Sequence, residues 1–311
     1  MKVLILGATG YIGSEVYKEL RKISIYTRGI SRKNLSGNKD IGNINFLKKE
    51  KNLKKIVSRF DVIINCLGET KNESLMKKIH VDLLKKILFS ISNYATRIKK
   101  NIQWIQISTI GIYGFDGEGV KKQLINDTTI ENPLSLYEQT KFDSEKLLIK
   151  YSNFFLNYTI LRVGTVISKK IRKTFFDNLT NLIKKKLFFF IGTKKTILNI
   201  IYLNDLVNII VRCIGKKKVL NKKYNVANNF KLIDLVLMLQ NNKKLLFPLV
   251  LSEVIVKKIF SFINFFIKKK KPSHKINFLT YQRKVSMTPI LKDLQYKIKF
   301  NLQNILKDRY K

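Results

Sequence analysis

The chain has 311 residues, 45% of them hydrophobic, enough to bury the core of one large domain with an appendage. Lys and Arg total 61 against 21 Asp and Glu, a formal charge of +40. The excess lies along the whole chain in short runs such as 184–186, 216–218 and 268–271, which reads as solvated surface lysine, and no recognition helix, aromatic RNA-binding signature or zinc finger accompanies it, so no specific nucleic acid is expected.

Short β-rich runs alternate with helical patterns through the first half: Val3 to Leu6, Ile23 to Tyr26, Val62 to Asn65, Ile102 to Ile107 and Tyr158 to Leu161. Several of these strands are almost continuously apolar, the pattern of a parallel sheet covered by helices on both faces. The expected fold is therefore α/β, a Rossmann-type doubly wound parallel sheet over residues 1–165. A smaller α/β substrate lobe over 166–311, interleaved with sheet elements, is expected to follow. Its strands are read at Asn199 to Leu203 and Tyr224 to Ala227, and its helices at Phe175 to Lys186 and Leu232 to Leu239.

The first strand runs into Gly7-Ala8-Thr9-Gly10-Tyr11-Ile12-Gly13. Gly7 permits the tight turn, Gly10 clears space for a pyrophosphate, and Gly13 lets the helix pack closely on the sheet, while N–H groups of the helix start bind phosphate. Gly7, Thr9, Gly10, Tyr11, Ile12 and Gly13 thus form a candidate dinucleotide site, joined by Leu67 at the end of the apolar run 62–67. About twenty residues past Gly7, where an acid would accept the ribose hydroxyl of NAD, the second strand ends in Thr27-Arg28, followed by Arg32 and Lys33, and no acid occurs between Arg21 and Lys39. Arg28 suits a 2′-phosphate, which favours NADP, with NAD as the alternative.

Asn101 to Ile107 leads into Ser108-Thr109-Ile110-Gly111-Ile112-Tyr113-Gly114, placing Thr109 at the carboxyl edge of a strand, where open α/β sheets hold their ligands. Further on, Pro133-Leu134-Ser135-Leu136-Tyr137-Glu138-Gln139-Thr140-Lys141 opens a helix. Tyr137 and Lys141 share one of its faces. A free phenol has a pKa of about 10, so a neighbouring ammonium is expected to favour the phenolate.

Together, Gly7-x-x-Gly10-x-x-Gly13, Asp61-Val62-Ile63-Ile64-Asn65, Ser108-Thr109-x-x-Ile112-Tyr113-Gly114 and Tyr137-x-x-x-Lys141 resemble the extended short-chain dehydrogenase/reductase family, the NAD-dependent epimerase/dehydratase group. The likeness continues through Leu161-Arg162, Asn199 to Asp205 and Tyr224 to Ala227. It implies a nucleotide-sugar substrate, Tyr137 as acid/base, Lys141 on the nicotinamide ribose, and Thr109 on the reacting hydroxyl or carbonyl, with Ser108 a weaker candidate. It also implies a homodimer as an alternative to a single chain. Family 4,6-dehydratases carry Asp-Glu after the catalytic Thr, where this chain has Ile110-Gly111, and neither can transfer a proton. The reading is thus an NAD(P)-dependent nucleotide-sugar epimerase of surface-polysaccharide or activated-sugar synthesis. An NADPH-dependent keto-sugar reductase is the alternative, slightly favoured by the stretch 113–119 followed by Asn132-Pro133. A non-catalytic NADP-binding scaffold or redox-sensing regulator is the rival from another class.

Cys66 and Cys213 are the only cysteines and indicate no disulfide framework. No cluster has metal-ligand spacing, so no metal is expected. His80 and His274, the only histidines, adjoin no nucleophile elbow and are read as surface residues; Asp205 is read as structural. The chain opens on a strand without a secretory leader, so a cytoplasmic location is expected. From Leu245 to Ile267 the apolar positions follow helical spacing around Glu253, Lys257 and Lys258, an amphipathic helix and not a span. Packing on the substrate lobe is one reading of it; the other is a peripheral contact of residues 245–271 with the inner face of the membrane. The apolar helix after Phe247-Pro248, then Asn277 to Thr280 and a terminal helix, resemble sugar epimerases and reductases of polysaccharide pathways.

Overall fold

The computed structural model describes residues 1–32, 39–114, 122–168, 175–239, 249–256, 258 and 282–299. In chain order the strands are β1 (Lys2–Leu6), β2 (Tyr26–Ser31), β3 (Ile41–Asn43), β4 (Val62–Asn65), β5 (Ile102–Thr109), β6 (Lys122–Ile125), β7 (Leu156–Val163), β8 (Thr165–Ile167), β9 (Phe190–Ile191), β10 (Ile197–Tyr202), β11 (Lys222–Val226), β12 (Asn228–Lys231), β13 (Val250–Leu251) and β14 (Gln282–Val285). The α-helices are α1 (Tyr11–Lys22), α2 (Glu50–Arg59), α3 (Glu73–Lys77), α4 (Leu83–Arg97), α5 (Leu136–Tyr151), α6 (Phe175–Lys184), α7 (Leu203–Cys213), α8 (Leu232–Leu239) and α9 (Thr288–Leu294).

Seven parallel strands form the main sheet in the order β11-β7-β5-β4-β1-β2-β3. Successive residues of β1 point to opposite faces. Val3 and Ile5 enter a core shared with α1, α7 and α9, while Leu4 and Leu6 enter a second core shared with α2, α4 and α5. The strand order reverses between β2 and β4 on either side of β1, so the crevice at the carboxyl ends of β1 and β4 is the topological switch point where such sheets bind ligands.

A smaller lobe contains the sheet β12-β10-β8, with α6 and α8 closing a third core around Phe190, Leu198 and Leu235. The chain leaves the main sheet for the lobe after β7 and again after β11. Helix α7 packs on α1, and β11 returns to the main sheet beside β7. Tyr224 to Ala227, assigned above to the lobe, is thus mostly an edge strand of the principal sheet.

The second strand also differs from expectation. Ile23 closes α1 as its C-cap, Ser24 adopts a left-handed φ of 59°, and the strand begins only at Tyr26. Its central Gly29 lies against Ala8, whose Cβ would stand 2.5 Å from a Cβ at 29. That close approach replaces an apolar side chain, so the strand lacks the hydrophobic run that announces its neighbours. Near the C-terminus, Leu251 lies in β13, paired with Ile191, and not in a helix; residues 253–256 are helical. Residues 245–248, 257 and 259–271 of the proposed amphipathic segment, the stretch 115–121, Asn277 to Thr280, His274 and residues 300–311 lie outside the described residues. Among the described residues no helix is long and apolar enough to cross a membrane.

Candidate active site

Gly7, Thr9, Gly10, Ser31, Arg32, Cys66, Leu67 and Gly68 line a cavity of about 480 Å³ at the switch point. Gly7 takes a φ of +86° there, and Gly7 N–H and Ala8 N–H both donate to Ile30 O, at 2.7 and 3.1 Å, which ties the turn to the end of β2. A Cβ on Gly13 would lie 2.3 Å from Gly7 O, so only glycine lets α1 start this close to the turn. Gly10 caps α1 without a side chain, and no acid occupies its first turn. A helix start of this kind receives a pyrophosphate, so the residues present fit a dinucleotide. Tyr11 and Ile12, expected at the site, open α1 but do not line the cavity; their side chains pack on the core, and Tyr11 Oη donates to Val166 O in the lobe.

Arg28 does not reach the cavity. It sits three positions before the end of β2, donating to Lys39 O at 2.8 Å, to Tyr26 Oη at 3.1 Å and to the Asp40 carboxylate. The cavity instead receives Ser31 and Arg32. Arg32 Nη1 donates to Glu69 Oε2 at 2.7 Å and Nη2 to Gly68 O at 3.2 Å, bridging the ends of β2 and β4. This contact, with three backbone N–H groups on Glu69 Oε1, pulls the Glu69 carboxyl down to about 2.

Thr109 ends β5, its hydroxyl oxygen accepting Gly111 N–H at 3.1 Å. A threonine hydroxyl carries one hydrogen to donate beyond such a contact. Across from it, α5 begins with a capping box in which Ser135 Oγ accepts Glu138 N–H and Glu138 Oε2 accepts Ser135 N–H. The N-cap N–H and one orphan donor of the first turn are thereby satisfied, fixing Tyr137 and, one turn on, Lys141.

Lys141 is buried and spans the ends of two strands, donating to Ile107 O at 2.9 Å and Leu67 O at 3.3 Å. Burial lowers its pKa to about 8 against the opposing pull of Cys66 and Glu145. Two of its three hydrogens are engaged in this way. Tyr137 departs from expectation: burial, aided by the Glu138 carboxylate, pushes its phenol up to about 12. The Lys141 ammonium is anchored on backbone carbonyls, and in the protein without ligands it does not make Tyr137 a phenolate. Burial likewise pushes the Cys66 thiol up to about 12, so Cys66 is an inert wall of the cavity.

The turn after Thr109 is braced from beneath by Arg162, which faces Ser108 on one side and Asn225 on the other. Its guanidinium donates to Glu145 Oε2 at 2.8 Å and Tyr113 Oη at 2.7 Å, and it also reaches Glu131; Tyr113 Oη donates to Asn225 Oδ1 at 2.8 Å. Burial by itself would lower the Arg162 pKa, but Glu145 and Glu131 hold it above its ordinary value. Asp205 has the structural role expected of it, accepting Tyr296 Oη at 2.6 Å and Lys299 N–H at 3.1 Å. His80, expected on the surface, is 3% exposed and packs edge-on against the Tyr137 ring. It belongs to this site, and its four neighbours in sequence, Lys78, Ile79, Val81 and Asp82, gave no sign of that. Among the described residues no group of His, Cys, Asp and Glu could hold a metal.

A model of the NAD-dependent epimerase/dehydratase family matches residues 3–227. The chain is 27% identical over 268 residues to an uncharacterized UDP-glucose epimerase, YtcB, of Bacillus subtilis (strain 168), covering 76% of this chain and 81% of that one. It is 25% identical over 269 residues to the dTDP-D-glucose 4,6-dehydratase of Dictyostelium discoideum, covering 75% and 60%. In fold it is similar to the UDP-glucuronic acid 4-epimerase of Bacillus cereus, solved with UDP-glucuronic acid and NAD, at a TM-score of 0.71 and 20% identity over 100% of this chain and 98% of the other. The family match runs from the start of β1 past the end of β11 and so contains the whole principal sheet and both sides of the crevice: the chain belongs to the NAD-dependent epimerase/dehydratase family.

Proposed function

We propose that the chain is an NAD(P)-dependent nucleotide-sugar epimerase that oxidises and re-reduces one sugar carbinol carbon. The observation that carries this reading is the seat of Lys141, which holds the Tyr137 turn of α5 across the carboxyl ends of β4 and β5, where the dinucleotide cavity opens. Thr109 offers its remaining hydrogen to the sugar oxygen, and Tyr137 passes a proton to or from that oxygen as the carbon changes oxidation state. The third Lys141 hydrogen orients a ribose hydroxyl. A bound dinucleotide supplies the acceptor and donor of hydride and, when oxidised, a positive charge that favours the phenolate.

Water elimination lacks a proton-transferring pair after Thr109, where Ile110 and Gly111 stand. Ile110 is buried, and a Cβ at Gly111 would lie 2.8 Å from Glu138 Oε1, so the capping box occupies the space that an acidic residue at 111 would need.

For the cofactor we favour NADP, through Arg32 and Ser31 at the end of β2 and no longer through Arg28. No carboxylate of β2 faces the ribose position, and a guanidinium suits a 2′-phosphate. NADP binding at least about tenfold tighter than NAD, or ~1.4 kcal/mol, is the expected titration result, and Arg32→Glu should invert it; a preference of the wild type for NAD refutes this assignment.

The same arginine keeps the keto-sugar reductase as a second reading. Wild type and Tyr137→Phe are compared with UDP- and dTDP-sugars and their 4-keto derivatives, with retained cofactor identified by mass spectrometry and NADPH absorbance followed throughout. Sugar isomers interconverting without net loss of NADPH, abolished by Tyr137→Phe, is the expected result. Stoichiometric NADPH consumption would replace the epimerase with the reductase, and cofactor binding without any turnover would replace both with the scaffold.

A further inference from the structure

His80 lies at the centre of a π-turn, Lys78–Asp82, between α3 and α4. The extra residue of a π-turn rotates the downstream side chains by about 100° relative to an unbroken α-helix, and here it brings the imidazole under α5. Both ring nitrogens are used. Glu69 N–H donates to Nε2 at 2.9 Å, and Nδ1 stands 2.9 Å from Thr140 Oγ1. Thr140 Oγ1 itself donates to Tyr137 O at 3.0 Å. Since Nε2 accepts and the threonine hydrogen is spent, the ring proton sits on Nδ1. The chain of donors therefore has one direction, from Glu69 N–H through His80 and Thr140 to the backbone of Tyr137. Glu69 also holds Arg32 at the rim of the cavity, and the rings of His80 and Tyr137 meet edge to face with centroids 5.9 Å apart.

We propose that His80 is a positioning residue for the reaction proposed above, setting the Tyr137 turn of α5 in register with the 67–72 loop that walls the dinucleotide cavity. The inference rests on that functional reading for its purpose and on the hydrogen-bond chain for its geometry. Apolar packing would serve to fill the space, but it would not connect a loop N–H to the one turn that carries both Tyr137 and Lys141. The relay needs a neutral ring with one donor and one acceptor. Burial, then the Lys141 ammonium and more weakly Arg32, push the imidazole down to about 3 against the pull of Glu69, so the ring keeps that form at neutral pH.

The test compares His80→Leu, which removes both contacts, with His80→Gln, which retains a donor and an acceptor, and Thr140→Val, which deletes the intermediate hydroxyl without changing shape. Steady-state constants are read on a nucleotide sugar, and the 13Cζ resonance of Tyr137, assigned with Tyr137→Phe, is read without substrate. A displacement of the reacting groups by about 1 Å costs on the order of 100-fold in rate. His80→Leu and Thr140→Val are therefore expected to lose about 10- to 100-fold in kcat with KM within about threefold, and to shift the Tyr137 resonance, while His80→Gln recovers most of both. Unchanged kcat and an unmoved resonance in Thr140→Val overturn the proposal, as does a His80→Gln variant as impaired as His80→Leu. If His80→Leu fails to fold, Thr140→Val and His80→Gln decide alone. A wild type that turns over no sugar refutes the epimerase and leaves the Tyr137 resonance to judge His80 by itself.

Discussion

Replacing Arg162 by Met keeps the volume of the side-chain stem and removes the cation that the site's foundation is built on. Glu145 is 1% exposed, and its carboxylate receives Arg162 Nε at 3.2 and 3.3 Å and Nη2 at 2.8 Å. Without the guanidinium a buried carboxylate loses its counter-charge, which costs about 3–5 kcal/mol. The other two partners have alternatives: Tyr113 Oη keeps Asn225, and the Glu131 carboxylate keeps Lys223 at 3.5 Å. The loss is therefore concentrated on Glu145, and Arg162→Met combined with Glu145→Leu should regain at least about 2 kcal/mol over the single variant, because an apolar pair can replace a buried ion pair at little net cost. Urea unfolding followed by intrinsic fluorescence of the buried Trp104 reads both values by linear extrapolation. A single variant within about 1 kcal/mol of wild type, or a double variant no more stable than the single, would refute the assignment of the cost to a stranded charge.

Two further perturbations test the site. Lys141 loses its proton as pH rises through about 8, so kcat/KM, which reports the free enzyme, should fall above that pH. Between about 8 and 10.4 the unfolded chain holds the proton that the folded chain has released, so stability should rise over the same window; activity falling together with melting temperature would point to alkaline unfolding instead. Gly13→Ala places a Cβ 2.3 Å from Gly7 O, whereas Gly10→Ala meets the same oxygen at 3.2 Å. Thermal unfolding without ligand should show the larger loss of stability in the first; equal losses would remove the argument from close helix packing.

The parts of this site that were legible in the sequence are those in which one residue type answers a local backbone demand. Gly7, Gly10 and Gly13 follow a strand and precede a helix, Thr109 ends a strand, and Tyr137 and Lys141 open a helix with a Ser135–Glu138 capping box; each sits where local pattern alone puts it. Arg28 was misplaced because strand register, not distance along the chain, decides which residue meets the ribose. Leu6 pairs with Ile30, so the edge falls at Ser31 and Arg32, and Gly29, made necessary by Ala8, hid the strand that would have counted the register correctly. The depressed Tyr137 was expected from the sequence spacing of Lys141, but spacing does not say which carbonyls an ammonium will choose, and here it chose Leu67 and Ile107.

His80 was illegible for a further reason. A lone polar residue among lysines looks solvated, and only a π-turn, which leaves no periodic signature over five residues, rotates it inward. The failures at His80 and Tyr137 share a cause: each concerns a contact between elements far apart in the chain, His80 with Thr140 across 60 residues and Lys141 with Leu67 across 74. Such contacts assemble the glycine turn, the 67–72 loop and the Tyr137 turn into one crevice. A substitution at Thr140 or Arg162 should therefore disturb turnover although neither residue lines the dinucleotide cavity, and that sensitivity separates a crevice braced by its long-range hydrogen bonds from one held by local structure alone.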